Sequence, residues 1–192
     1  MERFANATEA ALTLRPDEPV YCFRPDVLKA DARRFMDSFP GKTAYAVKTN
    51  GEELVLRTLV EAGVGSFDVA SPAEFAAVRA VSADAEMIYM HPVKAMSHIR
   101  LAFEQYGIRT TVVDHEDEIS KLTRVVKALD LDPTTITVFV RIATKGEAAY
   151  ELSKKFGCGP AQAIELMQRL DRNGFRVGLC FHVGSQIEDP DV

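Results

Sequence analysis

The chain has 192 residues, 47% hydrophobic and 27% charged, which is enough to bury a core and is the composition of an ordinary soluble globular protein. Lys plus Arg number 23 against 28 Asp plus Glu, a formal charge of −5 with no basic run, which argues against general nucleic-acid binding. No stretch approaches the roughly 20 apolar residues of a membrane span. The N-terminus lacks the apolar core of a signal peptide, and three widely spaced cysteines, Cys22, Cys158 and Cys180, argue against a disulfide framework or a zinc site and fit a reducing, cytoplasmic setting.

Residues 1–24 read as an N-terminal arm. Pro25 then opens a helix whose apolar face is drawn by Val27, Leu28, Phe35 and Phe39. An apolar run at 44–48 predicts the first strand, and Leu54, Val55, Leu59 and Ala62 line the helix after it. A strand at 66–69 runs into Ser71-Pro72-Ala73-Glu74, which has capping-box spacing with Pro at the first helical position. Strands follow at 87–90 and 111–113. Ile119, Leu122, Val126 and Leu129 mark a helix, 136–142 a strand, Pro160 through Leu170 a helix closed by Gly174, and 175–183 a sixth strand. Strands alternating with helices predict an α/β fold with a parallel sheet. An open doubly wound sheet and an eight-fold barrel both satisfy that pattern.

Side-chain parity favours the barrel. Alternate residues of a strand face opposite sides. In the sixth strand Gly178, Cys180 and His182 share one face, and Val177, Leu179 and Phe181 the other. In the fifth, Val138, Val140 and Ile142 oppose Thr137, Phe139 and Arg141; in the first, Ala44, Ala46 and Lys48 oppose Tyr45 and Val47. One face is bulky and apolar, suited to helices; the other is smaller and ends in an ionisable group. A doubly wound sheet is covered on both faces and is more often apolar on both.

The residues at or just after the strand ends are Lys48, Asp68, His91, Asp114, Arg141 and His182. Polar residues are common wherever a strand leaves the core. As a set, however, they stand where parallel α/β folds build their active face. A lysine leaving a barrel mouth can form a Schiff base with a carbonyl compound. The Gly184-Ser185 turn can offer N–H groups and a hydroxyl to a phosphate. Lysine, phosphate turn and the flat imidazole of His182 together suggest an aldehyde cofactor bearing a phosphate, pyridoxal 5'-phosphate (PLP), although spacing alone does not reach that cofactor.

At these residues the sequence resembles a known family. Tyr45-Ala46-Val47-Lys48-Thr49-Asn50, then Phe67-Asp68-Val69-Ala70-Ser71 with Glu74, Arg141-Ile142-Ala143-Thr144, Ser153-Lys154-Lys155-Phe156-Gly157 and Phe181-His182-Val183-Gly184-Ser185 are similar, in the same order, to motifs of the group IV, alanine-racemase-fold PLP decarboxylases. The ornithine decarboxylase-like branch is the nearest in form. The resemblance implies that Lys48 carries PLP as a Schiff base, that His182 stacks on its ring, that Ser185 holds the phosphate, and that Asp68 and Arg141 support the site. Lys48 and His182 are the catalytic assignments. Glu74 aligns with an acid near the site, although the capping box explains it nearly as well. His91 stands where many relatives carry Asn.

The implied activity is decarboxylation of a basic amino acid, ornithine to putrescine in polyamine biosynthesis, with lysine, arginine or diaminopimelate as alternatives. A non-catalytic regulatory relative is the reading from another class. The implied fold is an incomplete (β/α)8 TIM-like barrel over residues 25–192, with about six of eight strands and the C-terminal β domain of the family absent. Implied partners are a small amino-acid substrate and, for the full-length form, a second copy in a homodimer, with no nucleic acid or membrane. The chain therefore reads as an N-terminal portion without independent activity, whose unpaired strand edges invite self-association.

Overall fold

A computed structural model describes residues 2–144 and 155–184. Six parallel strands form one sheet in the order β1-β2-β3-β4-β5-β6: β1 Tyr45–Ala46, β2 Ser66–Val69, β3 Glu86–Tyr89, β4 Thr110–Val113, β5 Thr137–Ile142 and β6 Arg176–Phe181. The order equals the sequence order, with no reversal. A doubly wound sheet requires a reversal to put helices on both faces. Here every right-handed crossover lands on the same side, so the winding is that of a barrel, and the sheet is unclosed among the described residues.

Those crossovers are α3 Glu53–Ala62, α4 Pro72–Val81, α5 Met96–Glu104, α6 Glu116–Ala128 and α7 Pro160–Arg172, preceded by α1 Ala7–Leu14 and α2 Pro25–Ser38. Pro25, Pro72 and Pro160 each sit in a first turn, where the missing N–H has no intrahelical partner to lose. Ser71 caps α4 as the spacing predicts, its Oγ accepting from Glu74 N, while the Glu74 carboxylate accepts from the Ala70 N–H at 2.9 Å.

In a parallel ladder, residues in register share a face. Tyr45, Phe67 and Met87 form one such row; Thr111, Val138 and Val177 form another. This is the helix side. Phe67, Val69, Tyr89, Thr111, Val113, Val138 and Val140 are all essentially inaccessible there. Phe75 of α4 meets Tyr89 edge-on at 5.0 Å and Tyr106 at 5.5 Å. Each such fully buried side chain stabilises by about 1.5–3 kcal/mol. The opposite rows carry Ala46, Asp68 and Ile88, then Val112, Phe139 and Gly178, with Arg141 opposite Cys180 above them. On this face Ser66 and Val112 are buried, Glu86 and Arg176 at the starts of β3 and β6 are exposed, and the other strand residues are half-buried. The parity read from the strands therefore holds across the sheet.

Several expectations are corrected. The first strand stops at Ala46, and Val47–Thr49 turns into a 3-10 helix, so Lys48 rides on a turn. The core-facing side of α2 is Leu28, Ala32 and Met36; Val27, Phe35 and Phe39 face outward, with the two rings stacked at 5.9 Å. In α3, Leu56 takes the buried position expected for Leu54. Helices α1 and α5 were not foreseen. On β6 the helix-side residues Leu179 and Phe181 are 48% and 61% exposed, because no described helix packs over them. Among the described residues no helix is long and apolar enough to cross a membrane.

On the other face of β6, the Phe139 ring lies over Gly178, where an added Cβ would come within 2.5 Å of Phe139 Cε1. Gly178→Ala is expected to destabilise by about 1–3 kcal/mol, as overpacking does. The loss should shrink in a Phe139→Leu background. Urea midpoints of the two single variants and the double variant check this.

Candidate active site at the carboxyl ends of the strands

All six strand-end residues emerge on the face away from the helices or on the turns just beyond it. They act on one another electrostatically: Lys48 bears on Asp68, His91 and His182, Arg141 on His182 and Cys180, and Asp114 on His91 and Cys180. The mouth therefore mixes carboxylates, imidazoles and cations.

Lys48 is exposed on its 3-10 turn. Its neighbours fix the turn. Val47 is buried, the Tyr45 hydroxyl donates to Asn50 O at 3.2 Å, and Asn50 Oδ1 accepts from Glu52 N at 3.1 Å. The Lys48 amine makes no hydrogen bond or ion pair among the described residues. Asp68 sits mid-strand in β2. Burial, with the Glu74 carboxylate adding to it, pushes its carboxyl up to about 6, against the pull of Lys48 and of the Met90 N–H.

Arg141 and the Phe156 loop share the far side of the mouth. The guanidinium carbon lies 5.6 Å from the Phe156 ring centre, and His91 meets the same ring edge-on at 5.6 Å. The loop is fastened by Gly157 N, which donates to Asp114 Oδ2 at 2.9 Å, and by Cys158, which bridges to β5 through Cys158 N to Arg141 O and Ala143 N to Cys158 O, both at 2.9 Å. Only glycine fits at 157: φ is +103°, and a Cβ would lie 2.8–2.9 Å from the Ile142–Ala143 backbone.

His182 follows β6. Its Nδ1 accepts from Gly184 N at 2.9 Å, which leaves Nε2 as the protonated nitrogen of the neutral ring, and its carbonyl accepts from Thr144 Oγ1 at 2.9 Å. Burial first, then the Arg141 and Lys48 charges, push its pKa down, so the ring is neutral at pH 7. Ser185, Ser153 and Lys154 lie outside the described residues. Sequence reasoning missed the part played by Phe156, whose ring both Arg141 and His91 contact. It named Asp114 without seeing that it anchors the loop; the position of Asp114 at a strand end was the available signal.

An amine without a hydrogen bond or ion pair among the described residues, an imidazole pushed toward neutrality, a guanidinium and a half-buried carboxyl, close enough to influence one another, are a donor set that fits an aldehyde cofactor with an anionic group. Comparison with known proteins agrees. Residues 26–192 match the family described as "Pyridoxal-dependent decarboxylase, pyridoxal binding domain", and the chain belongs to that family. It is 36% identical over 146 residues to the lysine/ornithine decarboxylase of Selenomonas ruminantium, covering 74% of this chain and 35% of that protein. Its fold is similar to that of the lysine/ornithine decarboxylase of Vibrio vulnificus, solved with putrescine, at TM-score 0.77 and 32% identity, over 97% of this chain and 48% of that one. It is likewise similar to SrLDC, solved with PLP and cadaverine, at TM-score 0.75 and 29% identity, over 98% of this chain and 47% of that one. The chain thus spans from about a third to about half the length of these relatives.

The Asp68 shift sets a pH dependence. Because the folded-state pKa is raised, Asp68 binds its proton more tightly folded than unfolded. Its contribution to stability is therefore full below the usual 3.8 and is lost as pH rises through about 6. Asp68→Asn is expected to raise the urea midpoint at pH 7 relative to the parent, with the gap closing as pH falls across that window. A gap independent of pH would contradict the burial argument.

Proposed function

We propose that this chain forms the cofactor-binding part of a PLP-dependent decarboxylase of basic amino acids, with ornithine as substrate and putrescine as product. The observation that carries the reading is the meeting of Lys48, Asp68, Arg141 and His182 at the carboxyl ends of strands in a singly wound parallel sheet. PLP, when bound, supplies the electron sink for the pair left behind as CO2 departs.

Each residue then has a defined task. Lys48 would supply the amine to which the cofactor's aldehyde carbon attaches, and among the described residues that amine has no hydrogen bond or ion pair. His182, oriented through Nδ1, presents a flat neutral ring for stacking; a protonated ring would be repelled by Arg141 and Lys48. Asp68 holds beside Lys48 a carboxyl that burial pushes up to about 6, so its charge in the mouth depends on pH. Arg141, packed over Phe156, keeps a fixed positive charge in the mouth. Ser185, next to the left-handed turn at Gly184, is assigned to the phosphate.

The choice of ornithine is supported by relatives named ornithine decarboxylase, among them that of Panagrellus redivivus, 32% identical over 91% of this chain. The same reading makes residues 1–24 an arm and 25–192 a partial barrel, and makes the full-length form a homodimer. A cytoplasmic setting is supported by the free thiols of Cys22, Cys158 and Cys180.

Reduction of the PLP-treated chain with borohydride, followed by peptide mass analysis, tests the attachment. A phosphopyridoxyl adduct on Lys48 that disappears in Lys48→Ala is expected; adducts scattered over surface lysines would overturn the assignment. His182→Ala should leave the Lys48 adduct in place while raising the PLP dissociation constant roughly 2- to 10-fold, the worth of one ring-stacking contact. Unchanged affinity would remove the stacking role.

A further inference from the structure

Among the described residues the thinnest seam of the sheet lies between β3 and β4. Strands β3 and β4 pair in register only at Tyr89–Thr111, whereas β2–β3 and β4–β5 pair at four positions each. Yet two mouth residues depend on this seam, His91 just beyond β3 and Asp114 just beyond β4.

Lys94 lies between them. Its side chain is completely buried, and Nζ donates to Val112 O at 2.6 Å, to His91 O at 3.0 Å and to Pro92 O at 3.0 Å. An ammonium has three N–H donors, and three carbonyls take them all. One carbonyl belongs to β4 and two to the turn after β3. Glu118 of α6, also buried, lies 3.6 Å from Nζ and accepts from the Lys94 N–H at 3.3 Å. Lys121 closes the set, pairing with Glu118 and donating to Lys94 O at 2.5 Å.

Such burial is unfavourable in itself: it pushes Lys94 down to about 8 despite Glu118. An apolar replacement of a buried ion set is often neutral or stabilising, so a buried set is weak evidence for a stabilising role. A geometric role is what the carbonyl contacts describe.

We propose that Lys94 is a positioning residue whose ammonium substitutes for the missing β3–β4 ladder bonds and thereby sets where His91 and Asp114 enter the mouth. Through His91 it sets one wall against Phe156, and through Asp114 it seats the Gly157 turn. Its meaning for catalysis rests on the proposed cofactor mouth. The geometric claim does not, and the test is made without cofactor, so either idea can fail alone.

The test is NMR on the chain and on Lys94→Met. Two signals report the positions in question: the imidazole protons of His91, shifted by the Phe156 ring, and the exchange rate of the Gly157 amide. The expected result is loss of the ring shift and exchange at least about tenfold faster at Gly157, with β5–β6 amides unchanged. Both signals unchanged would overturn the proposal. Equal loosening of every seam would also overturn it, since Lys94 would then be a general stabiliser. If Lys94→Met does not fold, Lys94→Gln, which keeps a neutral N–H donor, is measured in its place. Partial loss of both signals with β5–β6 intact supports the proposal, and no loss overturns it.

Discussion

Parallel register is the constraint from which the rest of the structure follows. Once Ala46 is fixed opposite Asp68, and Phe139 opposite Gly178, alternation decides which side of the sheet every other strand residue faces. A slip of one residue in β5 would put Arg141 among the helices and Val140 in the mouth. Because the buried side holds Val138 and Val140 with no accessible surface, that slip would expose two core side chains and bury a guanidinium. The hydrophobic core therefore does more than stabilise the sheet: it aims the charged side chains.

The mouth is built by different means on its two sides. Near Lys48 the strand gives way to a 3-10 turn after two residues, and a buried Val47 with the Asn50 hydrogen bonds holds the turn that carries Lys48. Near Arg141 the strand is long, and the loop that returns at Cys158 lies against its end. Phe156 joins the two halves, since it touches both the guanidinium and His91. The electrostatic result is divided in the same way. His182 and His91 are pushed toward neutrality, while Asp68 is pushed toward its protonated form, all three mainly by burial.

Much of this was legible in the sequence because period-2 alternation is strong where one face is fully buried. Strand β2 matches its expected limits, and the alternation read in the fifth and sixth strands puts Arg141 and Cys180 on the face away from Val138 and Val140, as the register has them. Parity placed Lys48 on that face as well, but the strand ends before it. Other features were ambiguous for physical reasons. Helix α2 carries two apolar stripes, Leu28–Met36 and Val27–Phe35, and periodicity cannot say which one faces a core that is defined by distant strands. Helix α5 has a usable signal in Met96, Ile99 and Phe103, but it is short and is followed by a glycine turn. The end of β1 depends on side-chain bonds from Asn50 that no pattern announces. Lys94 and Glu118 were invisible because both belong to residue types that are almost never buried; only their carbonyl and ammonium partners explain them.

The contact between Phe139 and Gly178 has a consequence for how this sequence can change over time. The ring occupies the volume that a side chain at 178 would need, so the two positions are not free to vary in either order. Shrinking position 139 first costs a void; enlarging position 178 first costs a displaced ring. A side chain at 178 is therefore better accommodated once 139 is smaller, and the cost of each substitution depends on the order in which the two are made.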